Sequence, residues 1–272
     1  LHKLQQRKST GTLAETSKVT VGQYLDRWLD DVARLTVRES THRRYAELLR
    51  LHVKPRIGGV RLHRLTAGDV QGVYSTMEAN GLSPRTRKFA HAVLRKALSN
   101  AVRCGLVVRN VCELIDPPRA PKPAMQVLTA AQTTAFLQAA EKDRLSAMYV
   151  LAVTVGMRQG ELFALQWSDV DLEKGWLSVQ HTLHDRKLGP PKTAKSRRRI
   201  ELPDMAVEAL WGHKAAMLAE GYAGCPFVFC NTAGGLLHRP NVRRSFNAML
   251  KAAGLPAIRF HDLRHTDVAR KH

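Results

Sequence analysis

Two short runs place a fork-shaped cation beside an acid or a proton carrier. In Gly156-Met157-Arg158-Gln159-Gly160-Glu161-Leu162, an arginine between glycines has little to pack and leaves its guanidinium open to an oxyanion. Glu161 lies three residues on, so if a helix starts here the carboxylate shares a face with Arg158 and holds it or a neighbour in place. Taken alone, the pair reads first as an ordinary surface ion pair. In His261-Asp262-Leu263-Arg264-His265, His261 and Arg264 again stand three apart, a second guanidinium beside an imidazole. Two arginines bracket the oxygens of one phosphate bidentately, which a flexible lysine does less well. In isolation this run is also consistent with a histidine at a helix end beside a solvated arginine. Between the two lies the basic stretch Pro191-Lys192-Thr193-Ala194-Lys195-Ser196-Arg197-Arg198-Arg199, which suits a nucleic-acid patch, a localisation signal or a wet hairpin.

The elements that must position these residues divide at Asp116-Pro117-Pro118-Arg119-Ala120-Pro121-Lys122-Pro123, a proline-rich connector. Before it the chain reads as helices. Val21, Leu25, Trp28 and Leu29 form an apolar stripe behind Thr20 as N-cap. A second helix runs from about Ser40 to Val53 and stops at Lys54-Pro55 and Gly58-Gly59. A third opens over Leu65 to Val70 and ends at Asn80-Gly81. The fourth starts at Ser83-Pro84, with Phe89, Val93, Leu94, Ala97, Leu98 and Val102 on its apolar side. Its basic complement is Arg85, Arg87, Lys88, Arg95, Lys96 and Arg103, with few acids nearby to form i, i+4 pairs. After the connector, helices are expected from Thr129 and over about Leu145 to Val155. A further helix carries Leu162, Leu165 and Trp167 beyond the Gly156/Gly160 turn, and short strands run over Trp176 to Val179 and Arg199 to Leu202. The fold class is mainly α with a small antiparallel β-sheet, in two domains.

Of 272 residues, 43 are Lys or Arg and 23 are Asp or Glu, a formal charge of +20. Up to Gln126 the count is 23 basic to 10 acidic; from Val127 it is 20 to 13. Both parts are basic, the first more so, and a polyanionic partner follows. The apolar content of 44% excludes a chain that is mainly disordered. No apolar run spans a bilayer and the N-terminus lacks a signal-peptide core, so the reading is a soluble, cytoplasmic protein. Cys104, Cys112, Cys225 and Cys230 form no C-x-x-C pair and are taken as reduced, mostly buried thiols.

Four motifs in this order resemble the tyrosine recombinase, or phage integrase, family: Thr154 to Leu162; Trp167-Ser168-Asp169-Val170-Asp171; Pro191-Lys192-Thr193 with Ser196 and Arg198; and His261 to Thr266. The resemblance covers essentially the whole chain. It implies a tail or linker remnant at 1–18, a helical core-binding (SAM-like) DNA-binding domain at 19–115, a linker at 116–126 and a catalytic α+β domain at 127–272. It also implies a double-stranded DNA partner, with Arg85, Arg87, Lys88, Arg95 and Lys96 as DNA-binding residues, and localisation at the nucleoid. For the reaction, it implies that Arg158 and Arg264 hold the scissile phosphate and stabilise its pentacoordinate transition state. Lys192 would protonate the departing 5′ oxygen, His261 assist proton transfer and Glu161 support the site. Neither metal nor other cofactor is required, because fixed cations take that role, and a 3′-phosphotyrosyl bond conserves the energy for religation.

The nucleophile is where the chain departs from the pattern. In the family it is a tyrosine downstream of His-x-x-Arg, whereas Tyr24, Tyr45, Tyr74, Tyr149 and Tyr222 all precede His261 and none has that context. Asp267 is also unusual where the family has a small or apolar residue. The expectation is a catalytic domain lacking its C-terminal part, as in a truncated or frame-disrupted recombinase, and a chain that occupies DNA without cutting it. The family acts as a homotetramer on paired sites, and a chain without the exchanged segment is expected to sit on DNA as a monomer. A rival reading takes His261 and His265 as zinc ligands of a hydrolase. Against it, Asp262 stands where that motif has Glu, no third ligand is evident, and Arg264 would sit beside a dication.

Overall fold

The computed structural model describes residues 18–121, 126–184, 186–190 and 197–266. The chain forms two compact units, Leu1–Pro123 and Ala124–His272. No helix among the described residues is long and apolar enough to cross a membrane.

The first unit is helical. Helix α1 (Val21–Arg27) is opened by a reciprocal cap, in which the Thr20 hydroxyl accepts from the Gln23 amide and the Gln23 side chain accepts from the Thr20 amide. It continues through a π turn (Trp28–Ala33) into α2 (Arg34–Thr36). The second helical run differs from expectation. Helix α3 (Glu39–Leu48) passes through a π turn (Leu49–Val53) into α4 (Lys54–Ile57) instead of stopping at Lys54-Pro55. The widened turn lets the Lys54 amide reach back to the Leu49 carbonyl, and Pro55 falls in a first turn, where an amide is dispensable. Helix α5 (Ala67–Ala79), capped by Thr66 and Asp69, and α6 (Pro84–Arg103), capped by Ser83, follow as the sequence predicts. Their buried faces meet around Trp28, Leu25, Leu49, Ile57, Met77, Leu94 and Leu98. The buried Tyr24 hydroxyl donates to the Ala97 carbonyl at 2.6 Å.

The second unit opens with α7 (Ala130–Ala140) behind Thr129 and α8 (Ser146–Thr154). Helix α9 (Gln159–Leu162) is shorter than expected and does not reach Trp167. The backbone beyond it is taken by a distant segment, the Trp167 amide donating to the Pro226 carbonyl and the Val228 amide to the Leu165 carbonyl, each at 2.9 Å. Strands β1 (Val170–Asp171), β2 (Trp176–Val179) and β5 (Arg198–Glu201) form an antiparallel sheet in the order β1-β2-β5, with Leu177 opposite Ile200 and Val179 opposite Arg198. A hairpin of β3 (Thr182–His184) and β4 (Lys187–Gly189) lies between β2 and β5 in sequence. Helices α10 (Asp204–Ala219) and α11 (Arg239–Ala252) complete the unit with a 3-10 helix, Phe260–His265. Of the cysteines, Cys112 and Cys230 are buried, Cys225 is half-buried and Cys104 is exposed, and all four are free thiols.

An aromatic cluster ties the parts of this unit that matter most. Phe136 of α7, Tyr149 of α8, Phe246 of α11 and Phe260 of the 3-10 helix contact one another with ring centroids 5.4 to 6.2 Å apart. Phe246 touches the other three. Replacing it with Ala is expected to lower the unfolding free energy of the second unit by about 3 to 5 kcal/mol, read from urea denaturation followed by near-ultraviolet circular dichroism.

Candidate active site

The site forms where α8 gives way to α9. Gly156, at φ 61, turns the chain out of α8 in the left-handed conformation that glycine adopts without penalty. Buried Met157 on one side and buried Leu162 and Phe163 on the other pin the segment, so Arg158 and Glu161 fall on its polar side. Gly160 is required by close approach, since a Cβ there would lie 2.8 Å from the Thr182 hydroxyl and 2.9 Å from the Leu183 carbonyl oxygen.

Glu161 is only 3% exposed, and each of its carboxylate oxygens is shared by two arginines. Oε1 accepts from Arg158 Nη1 at 2.8 Å and from Arg198 Nη1 at 3.3 Å. Oε2 accepts from the Arg158 backbone amide and from Arg198 Nη2, both at 2.9 Å. Burial by itself pushes the Glu161 pKa up; the bonds from Arg198 and from the amide and side chain of Arg158 outweigh it, leaving the carboxyl below its ordinary range. The surface-pair reading of Arg158 and Glu161 therefore does not hold, because the acid is inside. Arg158 keeps 48% of its side chain exposed.

The 3-10 helix brings the second cation. Its three-residue turn eclipses positions i and i+3, so His261 and Arg264 project on one side. Burial first, then the charges of Arg158 and Arg198, press the Arg264 pKa down, with Glu161 opposing; Arg264 thus shares the field of the Arg158 cluster. Its Nη1 is sealed from solvent with no hydrogen-bond partner among the described residues. Two guanidiniums bonded to one carboxylate, with Arg264 in their field, leave a net positive charge and a buried Arg264 Nη1 with no acceptor among the described residues, an arrangement that suits an oxyanion.

His261 is exposed, and its pKa is lowered by partial burial, by His265 and by Arg264. These surroundings favour the neutral imidazole over the charged one. Its ring stands edge-on to that of His265 at 5.6 Å between centroids. Among the described residues no group of three or more His, Cys, Asp or Glu gathers as a metal site.

The sequence reading missed Arg259, which repeats the pattern of Arg158 and Glu161. The Arg259 amide donates to Asp262 Oδ2 at 2.9 Å and Nη2 to Oδ1 at 2.6 Å, opening the 3-10 helix as Arg158 opens α9. The shared Arg-x-x-acid spacing was there to be read. Lys192, with Ser196, lies outside the described residues.

In the first unit the predicted basic face of α6 is less uniform than its sequence. Arg85 and Lys88 are exposed. Arg87 is drawn to Glu78 of α5 at 2.6 Å and is 15% exposed, and Arg95 pairs at 3.3 Å with Glu113. Lys96 lies 5.7 Å over the Tyr45 ring. The partner acids come from other elements, so the scarcity of acids along α6 overstates its unpaired charge. Arg95, at 57% exposure, is held weakly.

Comparison with known proteins follows the same division. The phage integrase family pattern matches residues 126–270, and the phage integrase N-terminal SAM-like domain matches residues 20–77. A tyrosine recombinase XerC-like protein of Caldanaerobacter subterraneus subsp. tengcongensis is 27% identical, covering 94% of this chain and 73% of the relative. The integrase of Streptomyces ambofaciens is 34% identical over 86% of this chain and 63% of its own length. That of Saccharopolyspora erythraea is 29% identical over 66% of this chain and 42% of its own length, so the chain spans less than two thirds of both integrases. Among solved structures, a lambda integrase dimer bound to a COC′ core site aligns with TM-score 0.77 at 21% identity, over 97% of this chain and 73% of that one. The Tn1549 transposon integrase in complex with transposon right end DNA aligns with TM-score 0.79 at 21% identity, over 92% and 85%. At these identities the likeness is one of fold.

Glu161→Gln keeps the shape and removes the charge that the arginines surround. It is expected to destabilise the second unit by about 3 kcal/mol or more in urea denaturation. A carboxyl whose folded pKa is depressed contributes stability above its unfolded value and loses it as pH falls through the folded one. The gap between the native protein and Glu161→Gln should therefore be full near neutrality and close under acid.

Proposed function

Because the chain belongs to the phage integrase family, we propose that it is the core-binding and catalytic part of a site-specific DNA recombinase, holding one phosphodiester of duplex DNA between Arg158 and Arg264. The observation that carries this is the buried Nη1 of Arg264, in the field of Arg158 and Arg198 and without an acceptor among the described residues, an N–H that a non-bridging phosphate oxygen would satisfy. In the full reaction a tyrosine oxygen attacks phosphorus, forming a 3′-phosphotyrosyl bond and breaking the bond to the 5′ oxygen. The leaving 5′ oxygen takes a proton from Lys192, and His261, whose surroundings favour its neutral form, handles the proton of the nucleophile. Charge on the five-coordinate phosphorus rests on Arg158 and Arg264, and Glu161 supports the site, so the step runs on fixed cations without a metal. The family relation further supports action on paired sites by several copies.

The placement of the tyrosines favours a narrower activity for these 272 residues by themselves. Tyr24, Tyr74 and Tyr149 are buried in hydrophobic cores, Tyr45 stacks on Trp28, and the Tyr222 hydroxyl donates to the Thr232 carbonyl at 2.6 Å. None is placed as a nucleophile, and the segment on its own occupies a site without cleaving it. A duplex carrying a nick beside the cleavage point separates the readings: site occupancy leaves protein and DNA as separable species on denaturing gels, and a covalent adduct would overturn it.

Binding itself is tested by salt. The observed association constant should fall with salt on logarithmic axes with a slope near −0.9 per phosphate neutralised. Arg264→Ala should change affinity by only a few-fold, because most phosphate contacts lie elsewhere. Salt-independent binding would reject the proposal, and collapse of binding in Arg264→Ala would remove Arg264 from the catalytic set.

A further inference from the structure

We infer that Arg198, the first residue of β5, is a positioning residue of the oxyanion site, a two-pronged clamp on Glu161 that fixes where Arg158 presents its guanidinium. The inference deepens the proposed function and rests on reading Arg158 and Arg264 as the phosphate grip.

Arg158 and Glu161 belong to a turn and a four-residue helix, and an ion pair between residues three apart on so short an element has little to hold its plane. Arg198 comes from a different element. It is paired with Val179 across the β2–β5 ladder, and Val179 is buried in the core. Its guanidinium reaches both carboxylate oxygens, at 3.3 Å through Nη1 and 2.9 Å through Nη2, while Arg158 holds the same two oxygens through Nη1 and its amide. The sheet thus orients the carboxylate, and the carboxylate orients Arg158, whose side chain stays half exposed. A lysine would place one charge but could not grip two oxygens in a fixed plane. The groups bearing on Glu161 are the cations Arg158, Arg198 and, at longer range, Arg264.

The test uses the whole chain, with Arg198→Ala and Arg198→Lys, and three readouts: thermal melting, the carboxyl titration of Glu161 by carbon NMR, and the Nε–H signals of Arg158 and Arg264 during titration with inorganic phosphate. In the native protein phosphate should shift both arginine signals. In Arg198→Ala the Glu161 titration should move up towards ordinary values, the Arg158 signal should broaden, and phosphate should bind about tenfold more weakly, the deficit growing as the pH falls through the Glu161 titration. Arg198→Lys should recover the melting temperature and only part of the phosphate affinity, and it is the variant to read if Arg198→Ala does not fold. A merely structural Arg198 would lower the melting temperature yet leave the Glu161 titration, the Arg158 signal and the phosphate affinity unchanged, which would overturn the inference. A native protein whose arginines ignore phosphate, alongside a Glu161 titration that still moves in Arg198→Ala, would instead defeat the phosphate-grip reading and leave the clamp standing.

Discussion

A carboxylate removed from water is the constraint on which the second unit is built. An isolated buried ion is costly, by several kcal/mol even after the protein relaxes, and it persists only where cations and N–H groups surround it. Glu161 meets that condition with four donated hydrogen bonds from two arginines. Once those arginines are gathered the local charge is positive, and Arg264 is added to a field that already opposes it. Among the described residues the site is therefore short of negative charge. On the proposed reading a phosphate would supply that charge, and a transition state with more negative charge than the phosphate would supply it better.

Apolar packing decides that these charges meet at all. Phe260 and Leu263 anchor the 3-10 helix in the core, while Met157, Leu162 and Phe163 anchor the turn of Arg158. Tyr149, one helix upstream of that turn, touches Phe260, one residue before His261. The two halves of the site, about 100 residues apart in sequence, thus share one aromatic cluster. Gly160 adds the close contact with β3 that no other residue permits.

The first unit shows how composition and placement differ. Its excess of basic residues is real, yet Arg87 is held by Glu78, and Arg95 pairs with Glu113. Arg85 and Lys88 remain exposed on α6, and on the proposed DNA-binding reading they would serve its sequence-independent part, which depends on how many phosphates are neutralised.

Capping and periodicity are local, and they were legible. Thr20, Thr66, Ser83 and Thr129 start helices as their types and spacing demand, and Arg158 with Glu161 and His261 with Arg264 stand on common faces because three residues make about one turn. Helix α11, with Val242, Phe246, Met249 and Leu250 buried, was readable by the same rule and was missed. Helix α10 was harder, because Met205, Trp211 and Leu218 are exposed alongside buried Leu210 and Met217 and blur the stripe. The extension of the second helical run past Pro55, the end of α9 at Leu162, the salt bridges of Arg87 and Arg95 and the clamp of Arg198 were decided by tertiary structure. Each depends on a π turn or on a partner far along the chain: the carbonyl of Pro226, the carboxylates of Glu78 and Glu113, and the burial of Glu161 beneath a strand nearly 40 residues away. Sequence spacing specifies which side chains share a face; only the packed chain determines which faces lose their water, and that loss turns Glu161 from a surface acid into the centre of the site.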